Sequence, residues 1–246
     1  YNTAVGHHAG ANVTTGIHNT LIGGNAGDAL TDADENVAVG MNALGVDTLG
    51  TGSVAIGDSS LSTQNFTTAT TTYNTAVGYR AGFVVTTGLN NVLIGGLAGD
   101  ALTDADTNTA VGTSSLGSDT LGSKTVAVGY AALFNQNFTT ATDSNNTAVG
   151  YEAGKAITTG TGNTFVGSIA GDGTNDGVNN TAMGYAALSG NCGNDNVAIG
   201  HAALDITTGG LNTAVGVNAG GSVTSGDSNI FIGVNAGVDQ VISGDN

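Results

Sequence analysis

The chain has 246 residues, 42 of them Gly and none Pro or Trp, with only 9% charged; the usual helix formers Glu, Lys, Arg and Leu are scarce enough to argue against a helical protein. Hydrophobic residues make up 39% and fall at periodic positions, which supplies the buried surface that disordered chains lack. The formal net charge is −16, with Arg80, Lys124 and Lys155 the only Lys or Arg, so no basic stripe offers itself to nucleic acid or an anionic membrane.

A five-residue core opens at Asn2 (Asn-Thr-Ala-Val-Gly) and recurs with starts at 19, 36, 53, 74, 91, 108, 125, 146, 163, 180, 196, 212 and 229, fourteen copies in all. Successive starts lie 17 residues apart, except for steps of 21 after Ser53 and Thr125 and of 16 after Asn180 and Asn196. The first position is Asn except at Ser53 and Thr125, which suits a side chain that bonds neighbouring backbone at a turn and stacks on its equivalents. Position four is a large aliphatic throughout, from Val5, Ile22 and Val39 to Met183 and Ile232, and is expected to form the core row. Position five is always Gly, as a positive φ or a close backbone approach requires, and three residues later comes only Ala or Ser.

Each unit is too short for a strand plus a packed helix. The chain is therefore expected to be all-β, a parallel β-solenoid (β-roll) of about fourteen coils with two short strands per coil, stacked at about 4.8 Å into a rod of roughly 65 Å. The residue after the Ala/Ser row runs Gly10, Gly27, Leu44, Leu61, then Gly82, Gly99, Leu116, Leu133, and so on. Position three is mostly Ala but large at Leu21, Leu93, Phe165 and Phe231, so four coils make a 72-residue superunit. The superunits are 1–72, 73–144 and a shorter third, 145–246, of one continuous solenoid. Tyr1 already lies within the repeat, as expected of a segment of a longer fibre.

Side chains alternate along a strand, so positions two and four share one side and position three takes the other; both are apolar. A coil this small encloses few side chains, and a second buried face is expected to be supplied by another chain, with the Ala row as the contact and Leu21, Leu93, Phe165 and Phe231 as plugs. The cores at Asn36–Gly40, Ser53–Gly57 and Asn196–Gly200 resemble the head repeat of YadA-like trimeric autotransporter adhesins. The fuller Asn-Thr-Ala-Val-Gly-Tyr-x-Ala-Gly at 74–82 and 146–154 is similar to repeats of phage tail fibres. The resemblance implies a left-handed, homotrimeric, exported fibre, extracellular at a cell or virion surface. The fibre is expected to meet a surface glycan or protein receptor, the alternative being a purely structural filament without ligand. These coils are longer than typical adhesin head coils, and the 21-residue steps add a loop.

Asp28, Asp32, Asp34 and Glu35 share one turn, and Asp100, Asp104 and Asp106 share its counterpart. Asp32, Asp34, Asp104 and Asp106 are the candidates for holding Ca²⁺, but calcium-loop spacings are absent and solvated turn acids are the preferred reading, so no metal or cofactor is assigned. His7, Tyr79, Tyr130, Tyr151, Tyr185 and His201 form an interrupted row just after the invariant Gly, able to contact a sugar or cover the edge of the core. The inserted loops Thr63–Thr72 and Asn135–Ser144 are the places to seek receptor contacts. A tailspike-like glycosidase needs a carboxylate pair in a cleft that breaks the repeat; the acids here recur in equivalent turns, and no catalytic residue is assigned. Thr-Thr-Gly, in one coil of four, is too sparse for an ice-binding face. Lone Cys192 excludes an intrachain disulfide, and no apolar run approaches the length of a membrane span.

Overall fold

The computed structural model describes residues 1–238. Every coil carries one three-residue strand, beginning with Thr3–Val5, Thr20–Ile22 and Val37–Val39 and ending with Ile230–Ile232. The described residues contain no helix. Coils stack in parallel and in register, Thr3 opposite Thr20, Ala4 opposite Leu21 and Val5 opposite Ile22. The fourteen coils divide between two compact units, 1–124 with 139–142, and 125–138 with 143–246; each holds seven of the three-residue strands. The fold is a parallel β-solenoid with a period of about 17 residues.

The expectation of two strands per coil is corrected. Among the described residues a second strand occurs only beside the insertions, as the two-residue pieces Gly50–Thr51, Thr70–Thr71, Gly122–Ser123 and Thr142–Asp143. Elsewhere the far side of the coil is a run of turns, tied to the next coil by bonds such as Thr14 N–H to Thr31 O (3.0 Å) and Thr86 N–H to Thr103 O (2.9 Å). Gly, Asn and Thr satisfy their backbone groups without extended pairing there.

The core is inverted relative to the expectation. Position three faces inward: Leu21 is 1% exposed, and Ala38, Ala55, Leu93 and Phe165 are 0%. Position four faces outward, with Ile22 38% and Met183 47% exposed. A coil of 17 residues is narrow, and its interior admits Ala at most layers. The aliphatic side chains of position four lie on the outer face, while Val85, Ile157 and Val223, from the turns, are fully buried.

That inversion explains the superperiod. Leu21 fits because Gly10 and Gly27 flank it: a Cβ at either Gly would lie 2.7 Å from a Leu21 methyl. In the coils of Ala38 and Ala55 the volume is supplied by Leu44 and Leu61, and in those of Ala76 and Ala148 by Val85 and Ile157, all fully buried. Phe165 repeats the arrangement between Gly154 and Gly171, where an added Cβ would come within 2.8 and 2.6 Å of the ring. Alternating large and small residues keeps interior volume nearly constant, as close packing demands.

The invariant Gly row adopts φ between 122° and 144°, and its backbone touches the next coil: a Cβ on Gly78 would lie 2.4 Å from Gly95 O. Only Gly meets both conditions. The first-position row is a buried asparagine ladder. Asn19 Oδ1 accepts from Asn36 N–H (2.9 Å), while Asn36 Nδ2 donates to Gly50 O (2.9 Å) across its own coil. The same pair of bonds recurs where Asn91 N–H donates to Asn74 Oδ1 (2.9 Å) and Asn91 Nδ2 donates to Ala105 O (2.8 Å).

Candidate functional site

The insertions begin where the asparagine ladder breaks. Ser53 cannot span the coil, and the inserted turn returns Gln64 into the gap. Gln64 Nε2 donates to Ser53 Oγ (2.8 Å) and Asp47 Oδ2 (2.6 Å), while Gln64 Oε1 accepts from Asn74 Nδ2 (2.9 Å). Asp47 Oδ1 accepts from Gly50 N–H and Phe66 N–H, both at 3.0 Å. Burial pushes the Asp47 carboxyl above its ordinary range, partly offset by these hydrogen bonds. The second unit repeats the device: Gln136 Nε2 donates to Thr125 Oγ1 (3.1 Å), and Asn146 Nδ2 donates to Gln136 Oε1 (2.8 Å).

The insertions therefore project less than the sequence suggests. Gln64 and Thr72 are fully buried and Phe66 nearly so, leaving Thr67 to Ala69 as the exposed tip. Gln136, Phe138 and Ser144 are buried in the second. Sequence reasoning missed Gln64, Gln136 and Asp47. The signal was the coincidence of each four-residue insertion with a non-Asn first position.

Each candidate metal ligand accepts a bond from the preceding coil through one carboxylate oxygen. Asp32 accepts from the Thr15 hydroxyl, and Asp34 Oδ1 accepts from Ile17 N–H (2.7 Å). Asp104 Oδ1 accepts from Thr87 Oγ1 (2.5 Å) and Asp106 Oδ1 from Leu89 N–H (2.7 Å). Among the described residues no three His, Cys, Asp or Glu side chains gather closely enough to hold an ion.

The aromatic row is exposed, and its rings face one another. Tyr130 and Tyr151 stack at 5.4 Å, Tyr185 and His201 at 5.5 Å, each pair tilted by 13°. Faces turned toward neighbouring coils leave mainly edges outward, a poor platform for a sugar within each pair. Cys192 is buried, its Sγ 3.2 Å from Thr174 Oγ1, and burial raises its thiol pKa, which keeps it protonated.

Two outward features remain. One is the apolar strand face: positions two and four present Thr20 and Ile22, Val37 and Val39, Val54 and Ile56, and onward along each unit. The other is a groove of about 350 Å³ in the first unit, where the start of the insertion meets the turns of earlier coils. Asn25, Asn42 and Ser59, at equivalent places in consecutive coils, line it together with Asp28. Ser62, Thr63, Val46 and Phe83 line it as well. Asn25 Nδ2 donates to Asn42 Oδ1 (3.1 Å), and the Arg80 guanidinium lies 3.9 Å from the centre of the Phe83 ring.

No protein-family model matches this sequence, and neither curated proteins nor solved structures give a significant match.

Proposed function

We propose that the chain is a non-catalytic segment of a homotrimeric, left-handed fibre at a cell or virion surface, stiffened by stacked coils and presenting its turns for attachment. The observation that carries this reading is the exposed aliphatic face. Val5, Ile22, Ile56, Ile94, Val149, Ile199 and their neighbours repeat once per coil, and all fourteen side chains at this position are Val, Ile or Met. Regular apolar exposure on this scale marks an interaction surface. A partner that matches it row for row needs the same repeat, which a copy of this chain has. Position two adds only Thr, Val and Ile to the face, so the net charge of −16 does not oppose contact there. Threefold symmetry, winding sense and the exported location rest on the resemblance to adhesin heads and tail fibres. Because the Ala row is interior, the contact is assigned in this reading to the exposed Val/Ile row.

Sedimentation equilibrium tests the assembly, because mass is then obtained independently of shape. Three chain masses are expected, and a single-chain mass would end the reading. Ile56→Lys with Ile94→Lys places charge on side chains already 37% and 38% exposed, so each coil still folds while the trimer dissociates. Unchanged circular dichroism together with a lower mass is the expected pair of results.

A further inference from the structure

The groove in the first unit breaks the repeat. Superunits 1–72 and 73–144 agree along long stretches, including the identical Gly-Asp-Ala-Leu-Thr-Asp-Ala-Asp of 27–34 and 99–106. At the groove they part: Asn25, Asn42 and Val46 correspond to Leu97, Ser114 and Ser118, and Ser59, Ser62 and Thr63 to Ala131, Phe134 and Asn135. Leu97, Ala131 and Phe134 replace the polar Asn25, Ser59 and Ser62 at the counterpart, while Ser114, Ser118 and Asn135 remain polar there. Scaffold needs do not account for the difference, since both superunits build the same coil.

We infer that this groove binds a neutral saccharide. Its polar groups are of the kind that bond hydroxyls, and several are unspent. The Asn25–Asn42 bond uses one amide hydrogen of Asn25 and the Asn42 oxygen, leaving Asn25 Oδ1 and the Asn42 amide without partners among the described residues. The Asp28 carboxylate likewise has no hydrogen bond or ion pair among them. Acceptor and donor thus sit side by side on the Asn25–Asn42 ladder, with a carboxylate acceptor nearby, which suits vicinal hydroxyls that both donate and accept. Val46 and Phe83 supply the apolar part for the C–H face of a sugar ring. Asp28 and the net charge of −16 disfavour sialic or uronic acids, and the one nearby cation, Arg80, is stacked on Phe83. The volume, about 350 Å³, lies at the small end of ligand sites and suits one or two sugar rings.

The repeat itself supplies variants compatible with folding. Asn25→Leu, Ser59→Ala and Ser62→Phe install the residues found at 97, 131 and 134. The probes are methyl glycosides of glucose, galactose, mannose, fucose and N-acetylglucosamine, with sialic and glucuronic acids as anionic controls, read by saturation-transfer difference NMR. Transfer to at least one neutral glycoside and to neither acid is expected. The triple variant, and Asp28→Ala separately, should weaken binding by roughly tenfold or more. Silence from every neutral glycoside, or transfer that survives the triple variant, would overturn the inference. The groove lies off the Val/Ile face, so its failure leaves the sedimentation result standing, and a monomeric mass leaves saccharide binding intact.

Discussion

At the scale of single residues, the two kinds of glycine separate cleanly. Gly78→Ala forces a Cβ to 2.4 Å from Gly95 O at φ +142°, and should lower stability by about 2–4 kcal/mol in thermal or denaturant unfolding. Gly24→Ala meets nothing within 4 Å and should change stability by no more than about 1 kcal/mol. Gln64 is the other residue on which a whole layer depends. Gln64→Ala leaves Asp47 Oδ2 and Ser53 Oγ each short of a buried donor, a loss of about 2–4 kcal/mol in the same measurement. Asp47 gives that layer a pH dependence. Burial raises its carboxyl above the ordinary 3.8, so its contribution to stability is complete below 3.8 and is lost as pH rises through the folded-state value. Burial shifts Asp100, Asp172 and Asp205 in the same direction. The melting temperature should therefore rise as pH is lowered from neutral toward the ordinary carboxylate range. Asp47→Asn should flatten that rise.

At the scale of the coil, stability comes from exchanging volume between two rows. Leu93 reaches into the space left by Gly82 and Gly99, whose added Cβ atoms would each lie 2.7 Å from its methyls. Leu93→Ala should cost about 2–5 kcal/mol through the cavity it opens. Adding Gly99→Leu gives this coil the small-and-large pair of its neighbour, Ala110 with Leu116, and should recover part of the loss, reduced by the shift required of Leu102, whose methyl would lie 2.9 Å from the new Cβ. Leu is tolerated in the left-handed region there, since Leu116 has φ 52° and Leu44 has φ 51°. A double mutant no more stable than Leu93→Ala alone would show that the two rows do not share volume. The asparagine ladder works along the other direction, coupling each coil to the next through buried side-chain bonds. Stability of this kind is a sum over nearest neighbours, so a break at one coil is felt mainly beside it.

At the scale of the whole molecule, the exposed Val/Ile face and the groove make different demands. The face repeats with every coil and calls for a partner with the same period. The groove occurs where one superunit departs from its twin and calls for a small ligand. The proposed trimer and the proposed saccharide site therefore respond to different substitutions, Ile56→Lys with Ile94→Lys for one and Asn25→Leu with Ser59→Ala and Ser62→Phe for the other.

The period, the number of coils, the all-β class and the roles of the Gly and Asn rows were legible from the residues alone. Each is a local requirement, on φ or on a turn bond, and it repeats with the sequence. Three things were decided only by the tertiary structure. Which face of the strand points inward depended on how much volume a 17-residue loop encloses, and that put Ala38 inside and Ile22 outside, against expectation. The role of Gln64 depended on a bond to Asn74, ten residues away, across a gap visible only once the ladder is built. The groove depended on Asn25, Asn42, Ser59 and Phe83, from separate coils, being brought together by stacking. Alternation along a strand reveals that two faces exist; the closed coil determines which of them is the core.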